Sequence, residues 1–214
     1  STLPFPFMAA EAAWLIEAIR VNPRLKHTLP RLLFACVFFS CGCVYLNGNF
    51  RAVEDGRVYR SGQLSPHGLE RRIEKHSIRA VVSLRGPAAS EAWYKEELSV
   101  CAAEGIPHID LAWSKDALPT PKSLTELIRL YDFGPKPLLV HCQGGTHRSG
   151  VASAVFVLVE GVGVDNAREQ LGPLFNDAPI GRLLDLCEVS EKPFRDWVKE
   201  DYPKIYVLEL KKGN

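Results

Sequence analysis

Leu138-Leu139-Val140-His141-Cys142-Gln143-Gly144-Gly145-Thr146-His147-Arg148-Ser149-Gly150 is the stretch on which the reading of this chain turns. The apolar run 138–140 has the pattern of a buried strand, and 151–159 is an unbroken small and apolar run of helical length. Between them lies a glycine-bearing loop, opened by Cys142 and closed by Arg148 with five residues between. A loop joining a strand to a helix turns backbone N–H groups inward, and the helix N-terminus adds partial positive charge. Such a cup fits a tetrahedral oxyanion, and the planar fork of Arg148 adds donors for two of its oxygens.

A cysteine at the floor of that cup has a chemical reason to be there. The thiolate is the nucleophile, and a helix N-terminus, an arginine and a ring of N–H donors all favour it over the thiol. Beneath a bound phosphate it is placed for attack on phosphorus, which gives a covalent phosphocysteine. Ser149 is positioned to donate to the sulfur, and His141 to orient the loop. The phosphate-binding set is Gln143, Gly144, Gly145, Thr146, His147 and Arg148. The bland alternative makes Cys142 a small core residue and the glycines an ordinary turn.

The pattern His-Cys-x-x-Gly-x-x-Arg-Ser resembles the signature of the cysteine-based protein tyrosine phosphatases, in their atypical dual-specificity branch. Cys142, Gly145, Arg148 and Ser149 occupy its fixed positions. Tyr59-Arg60-Ser61-Gly62-Gln63 resembles a second element found near the start of that catalytic domain in bacterial, fungal and plant relatives. By itself it is weak, because Arg60 and Gln63 fit equally well as satisfied turn residues. The resemblance spans about residues 50 to 200. It implies a general acid, an aspartate on a mobile loop upstream of the cysteine. Asp116, in the polar loop 112–120, matches by position; Asp110 is the rival, with a strand-end acceptor as its other reading. It also implies no metal and no other cofactor, because arginine and amides neutralise the phosphate.

The rest of the chain bounds these readings. With 214 residues there is room for one domain and an extension. Twenty-six basic against 25 acidic side chains give no electrostatic case for nucleic acid. The six cysteines show no Cys-x-x-Cys spacing and no ligand cluster with histidine, which argues against zinc. Residues 1–31 form a basic N-terminal segment, and 32–46 is apolar, uncharged and preceded by positive charge. Its length suits a signal-peptide core or minimal signal anchor, with the N-terminus cytoplasmic and the catalytic domain 47–214 anchored or exported. A core helix, leaving the protein cytoplasmic, is the other reading of 32–46.

From residue 47 the chain reads as a polar linker to Gly56, then a strand into the Arg60–Gln63 turn. A helix capped by Ser65 and started by Pro66 runs to about His76. A strand follows over 79–84, and Arg85 at its end has two readings, a contact with the site or, the favoured one, a strand-end salt bridge. Next come a helix from Ser90 to Glu104, with Trp93, Leu98 and Cys101 on one face, and a strand over 106–111. After the cysteine loop, helices are expected over 165–171, 177–187 and 190–200, with Leu174, Phe175, Leu183, Leu184, Phe194 and Trp197 in the core. The end, 205–210, alternates as an extended segment would.

Alternating strands and helices predict an α/β fold, a mostly parallel central sheet covered on both faces, with ligands at the strands' carboxyl ends. The expected activity is hydrolysis of phosphomonoesters, phosphotyrosine or similar, on a phosphorylated protein or small molecule. In the related enzymes that the resemblance brings in, loops serving highly phosphorylated inositol substrates tend to carry lysines; none stands between Cys142 and Arg148 here, which tilts the choice away from such substrates. Two rivals remain: a rhodanese-like sulfurtransferase, which needs neither Asp116 nor Ser149, and a membrane-tethered pseudophosphatase that only binds phosphate. Cys101 and Cys187 are expected to lie too deep to capture Cys142.

Overall fold

Five strands form one sheet in the order β1-β2-β5-β3-β4 in the computed structural model, which describes residues 48–212. They are β1 (Arg51–Glu54), β2 (Val58–Ser61), β3 (Ala80–Ser83), β4 (His108–Asp110) and β5 (Leu138–His141). β1 is antiparallel to β2, and every other pair is parallel. The expected basic segment 1–31 and apolar segment 32–46 lie outside the described residues. Among the described residues, no helix is long and apolar enough to cross a membrane.

Side chains alternate across a strand, so each central strand feeds two cores. Val58, Ala80, Val82, Leu138 and Val140 face the larger core, with α3 (Pro121–Phe133) and α4 (His147–Val159). Tyr59, Val81 and Leu139 face a smaller one, with α1 (Pro66–His76) and α2 (Ala92–Ala103). Both faces are therefore covered, which is why the central strands read as continuous apolar runs. β5 lies in the middle, and its carboxyl end delivers Cys142. α4 is buried nearly all round, from Ser149 through Phe156, as its uniformly small and apolar sequence demands.

Several expectations are corrected. The linker 47–56 contains β1, a short edge strand of charged and small residues. The buried face of α2 is Tyr94, Glu97, Val100 and Cys101, while Leu98 is exposed. Ser90 does not cap α2, which has no side-chain cap. Leu174 is also exposed, whereas Phe175, Leu183, Leu184 and Trp197 are buried.

The C-terminal helices are shorter and more numerous than their patterns suggest: α5 (Val164–Arg168), a 3-10 turn Pro179–Gly181, α6 (Arg182–Glu188), α7 (Phe194–Glu200) and α8 (Tyr202–Lys212). Residues 205–210 are thus helical, not extended. Tyr202, Ile205, Tyr206 and Glu209 make the inward stripe at helical spacing. Apolar residues on the outer face of the same helix, Val207, Leu208 and Leu210, blur that stripe into apparent alternation.

Candidate active site

β5 ends at His141, and the Cys142 N–H donates to the Ser61 carbonyl (3.3 Å). α4 begins at His147, so Arg148 and Ser149 sit in its first turn rather than in the loop. Cys142 is buried, only 3% exposed. The Gly145 N–H points at its sulfur (3.3 Å) and the Ser149 hydroxyl lies 3.5 Å away. Burial pushes the thiol up, but bonds from the Ser149 hydroxyl and N–H, the Arg148 charge and the Gly145 N–H outweigh it. The net result is a Cys142 pKa below the ordinary thiol value.

The loop's convex side explains its concave one. The Gln143 carbonyl accepts from the Gln63 N–H (2.9 Å), and the Gly144 carbonyl from Asn49 Nδ2 (3.2 Å). The Gly145 carbonyl accepts from Asn49 Nδ2 (2.9 Å) and Arg60 Nη2 (2.9 Å), and the Thr146 carbonyl from Arg60 Nη2 (3.2 Å). Four successive carbonyls are thus held from outside. In a planar trans peptide the C=O and the following N–H point in opposite directions. The N–H groups of Gly144, Gly145, Thr146 and His147 are therefore turned to the other side, and the Gly145 N–H on the cysteine sulfur is a direct instance. Nothing in the sequence marks Asn49, which sits in what reads as a linker.

Arg148 Nη1 bonds the carbonyls of Leu84 (3.3 Å) and Trp113 (3.4 Å), bridging the end of β3 and the start of the 112–120 loop. Asp116 is exposed on that loop, with Lys115 Nζ at 2.6 Å and its own N–H on Ser114 Oγ. The loop is tied down around it. Trp113 N–H bonds the Leu84 carbonyl (3.2 Å), the Lys115 carbonyl accepts from Ile180 N–H (3.0 Å), and the Pro119 carbonyl accepts from the Tyr202 hydroxyl (2.6 Å). Asp110 ends β4, and its carboxylate accepts from the Tyr94 hydroxyl. His147 Nε2 pairs with Asn176 Oδ1 (2.7 Å) beside the Phe175 ring.

Behind the loop entry lies a buried polar hub that sequence spacing does not reveal. One oxygen of Glu97, on α2, meets Nε2 of His108 (2.8 Å) and Nε2 of His141 (3.0 Å); the other accepts from Gln63. The far nitrogen of His141 faces the Cys142 carbonyl at 3.4 Å. Burial pushes Glu97 up, but bonds from His108, His141 and Gln63 outweigh it and bring its pKa down to about 2. Glu97, His108 and His141 are the cluster among the described residues whose atoms, all within 4.8 Å of one another, have metal-ligand types. Those atoms already satisfy one another.

Arg85 makes no carboxylate pair among the described residues, contrary to expectation. It bonds Gln63 Oε1 (2.8 Å) and stacks over the Trp93 ring, 3.4 Å from its centroid. Cys101 and Cys187 are buried free thiols, and burial raises them to about 12 and about 11.

No family model matches the chain, and no curated protein matches it in sequence. Solved structures do match in fold. The catalytic core of Siw14, a PP-IP phosphatase of S. cerevisiae, superposes with a TM-score of 0.51 at 17% identity, over 76% of this chain and 92% of that one. A candidate phosphatase (DUF442) from Shewanella putrefaciens CN-32 gives 0.52 at 16% identity, over 66% and 88%. The chain shares its fold with these two phosphatase structures.

Proposed function

We propose that the chain is a cysteine-dependent phosphatase that hydrolyses phosphomonoesters through a phosphocysteine intermediate. The observation that carries this reading is the convergence on Cys142. A buried thiol receives the Gly145 N–H and the Ser149 hydroxyl at the mouth of a loop whose carbonyls all face away. A buried cysteine serving only as packing needs neither donor.

In this mechanism the thiolate attacks phosphorus in line. The S–P bond forms as the bond to the leaving oxygen breaks, and Asp116, as the acid, protonates that oxygen. The loop N–H groups and the Arg148 fork hold the equatorial oxygens, charge stabilisation built before the reaction begins. Arg148 reaches the phosphate by exchanging the Leu84 and Trp113 carbonyls for two of its oxygens. Asp116, now the carboxylate, takes a proton from water as that water attacks phosphorus, and the thiolate leaves with the Ser149 hydroxyl donating to it. Of the two aspartates, Asp116 is supported by its exposure on a loop and Asp110 is occupied by Tyr94. With no lysine or arginine between Cys142 and Arg148, simple phosphomonoesters such as phosphotyrosine suit the cup better than polyphosphates.

The test is hydrolysis of a generic aryl phosphate by the full chain under reducing conditions. Turnover that vanishes in Cys142→Ser, together with a phosphorylated cysteine trapped from the wild type in acid, is the expected result. A reduced, folded wild type without turnover overturns the reading, and sulfur transfer from thiosulfate is then the assay to run.

A further inference from the structure

Arg60 is 0% exposed, a whole guanidinium enclosed beneath the cysteine loop. One nitrogen, Nη2, holds the carbonyls of Gly145 and Thr146; Nη1 holds that of Gln170, and Nε is buried without a partner. Among the described residues no carboxylate pairs with it. A buried charge is costly unless an opposite charge compensates it, and carbonyl capping alone does not need one. Asn49 does the same work on the neighbouring carbonyls with a neutral amide.

We propose that Arg60 is a positioning residue of the cysteine loop, a buried cation whose counter-ion is the Cys142 thiolate. The proposal rests on the phosphatase reading of this site and adds to it a second guanidinium, on the side opposite the substrate. Arg148 meets the phosphate from above, exchanging the Leu84 and Trp113 carbonyls for its oxygens. Arg60 cannot leave, because it is locked between the loop and the α5 end, and even the packing of Gly150 is set by it: a Cβ there would lie 3.2 Å from Arg60 Nη2. It therefore favours the thiolate both when the cup is empty and when the sulfur departs from phosphorus. By fixing two carbonyls it also fixes the N–H groups of Thr146 and His147 on the phosphate side.

The charged and titratable groups around the pair are few. Arg51 of β1 acts on Arg60 from one side, and the Tyr131 phenol of α3 donates to the Ala152 carbonyl. Arg85 beyond β3 and Arg148 of α4 act on Cys142 from the other side. The carboxylate nearest the loop entry, Glu97, is engaged by His108 and His141. Burial and the charge of Arg51 pull Arg60 down to about 9, so it is still a cation at neutral pH.

The experiment measures the pH dependence of Cys142 alkylation by iodoacetamide, which reports the thiolate whether or not the protein turns over a phosphate ester. Wild type, Asn49→Ala, Arg60→Lys and Arg60→Met are compared, with Cys142→Ser as the blank and circular dichroism as the folding check. Removing the cation in Arg60→Met is expected to raise the midpoint by about one pH unit, a tenfold change in the thiolate equilibrium. Arg60→Lys keeps the charge without the fork, so the midpoint stays near wild type while kcat/KM on aryl phosphate falls about tenfold. Asn49→Ala loses turnover without moving the midpoint. A folded Arg60→Met with a wild-type midpoint overturns the proposal. If Arg60→Met does not fold, a midpoint raised by about one pH unit in Asn49→Ala overturns it instead, because losing a neutral carbonyl cap would then do what losing the cation is expected to do.

Discussion

Gly145 and Gly62 lie back to back: a Cβ on Gly145 would come within 2.5 Å of the Gly62 nitrogen, and one on Gly62 within 3.0 Å of the Gln143 carbonyl oxygen. Two loops distant in sequence meet here through bare backbone, and the cup has its shape because neither carries a side chain. Gly145 also holds φ at +71°, in the left-handed region that glycine enters freely.

Gly145→Ala therefore meets both obstacles. Backbone strain alone costs about 1–2 kcal/mol, and the clash with Gly62 pushes the loop off its donors. The expected outcome is a lower Tm and a kcat/KM reduced about tenfold or more. Wild-type kinetics in the variant would mean that the loop does not need this close approach.

Ser149→Ala removes the hydroxyl that faces the sulfur. Two effects are expected. The alkylation midpoint of Cys142 rises, because that hydrogen bond is the largest single influence lowering it, and breakdown of phosphocysteine slows. Rapid-mixing kinetics with an aryl phosphate should then show a burst of released phenol equal to the enzyme present. A variant with neither a shifted midpoint nor a burst would leave Ser149 as a packing residue.

The two aspartates should separate cleanly. Asp116→Asn is expected to lower kcat about a hundredfold, as loss of a general acid does, with the deficit shrinking for phenols that leave easily. Asp110→Asn removes the charged acceptor of Tyr94 and should reduce stability while leaving the leaving-group dependence unchanged. The slope of log kcat against leaving-group pKa in each variant decides the assignment.

Glu97 ties acid stability to the site. Its folded pKa, about 2, lies below the ordinary 4.5. The stability it contributes is therefore complete above about 4.5 and lost as pH falls towards 2. Glu97→Gln is expected to be less stable near neutrality and to show a flatter decline on acidification. Urea unfolding from about pH 6 to about pH 3 checks this; parallel curves for the two proteins would rule it out.

Much of the fold was readable because its signals are local. Strand β5, the glycines, Arg148, Ser149 and the helix behind them are contiguous, so period and turn chemistry declare them together. Ser65-Pro66 announced α1 for the same reason, and its hydroxyl does accept from the Gly68 N–H. What sequence reasoning missed arrives from a distance. Asn49 caps carbonyls 95 and 96 positions along the chain. Glu97 follows Lys95 and Glu96 in a charged stretch of its helix and so reads as a solvated charge until His108 and His141 are brought beside it. Arg60 lies inside a recognised element, yet its burial appears only when β2 is seated against β5. The absence of ligand spacing did not reveal the Glu97 cluster, because its three members come from three separate elements.

The ties on the 112–120 loop also set a mechanical scale. Between the Lys115 carbonyl, held by Ile180, and the Pro119 carbonyl, held by Tyr202, only three residues span the gap, and an extended chain covers at most about 3.6 Å per residue. Asp116 can swing a few ångströms on this short hinge, but the loop has no slack to open as a large flap. Proton delivery then needs no sweeping motion through solvent, and kcat should be nearly indifferent to an added viscogen such as sucrose. Cutting the chain before α8 would release one end of the hinge, and only in that shortened protein should solvent friction begin to govern turnover.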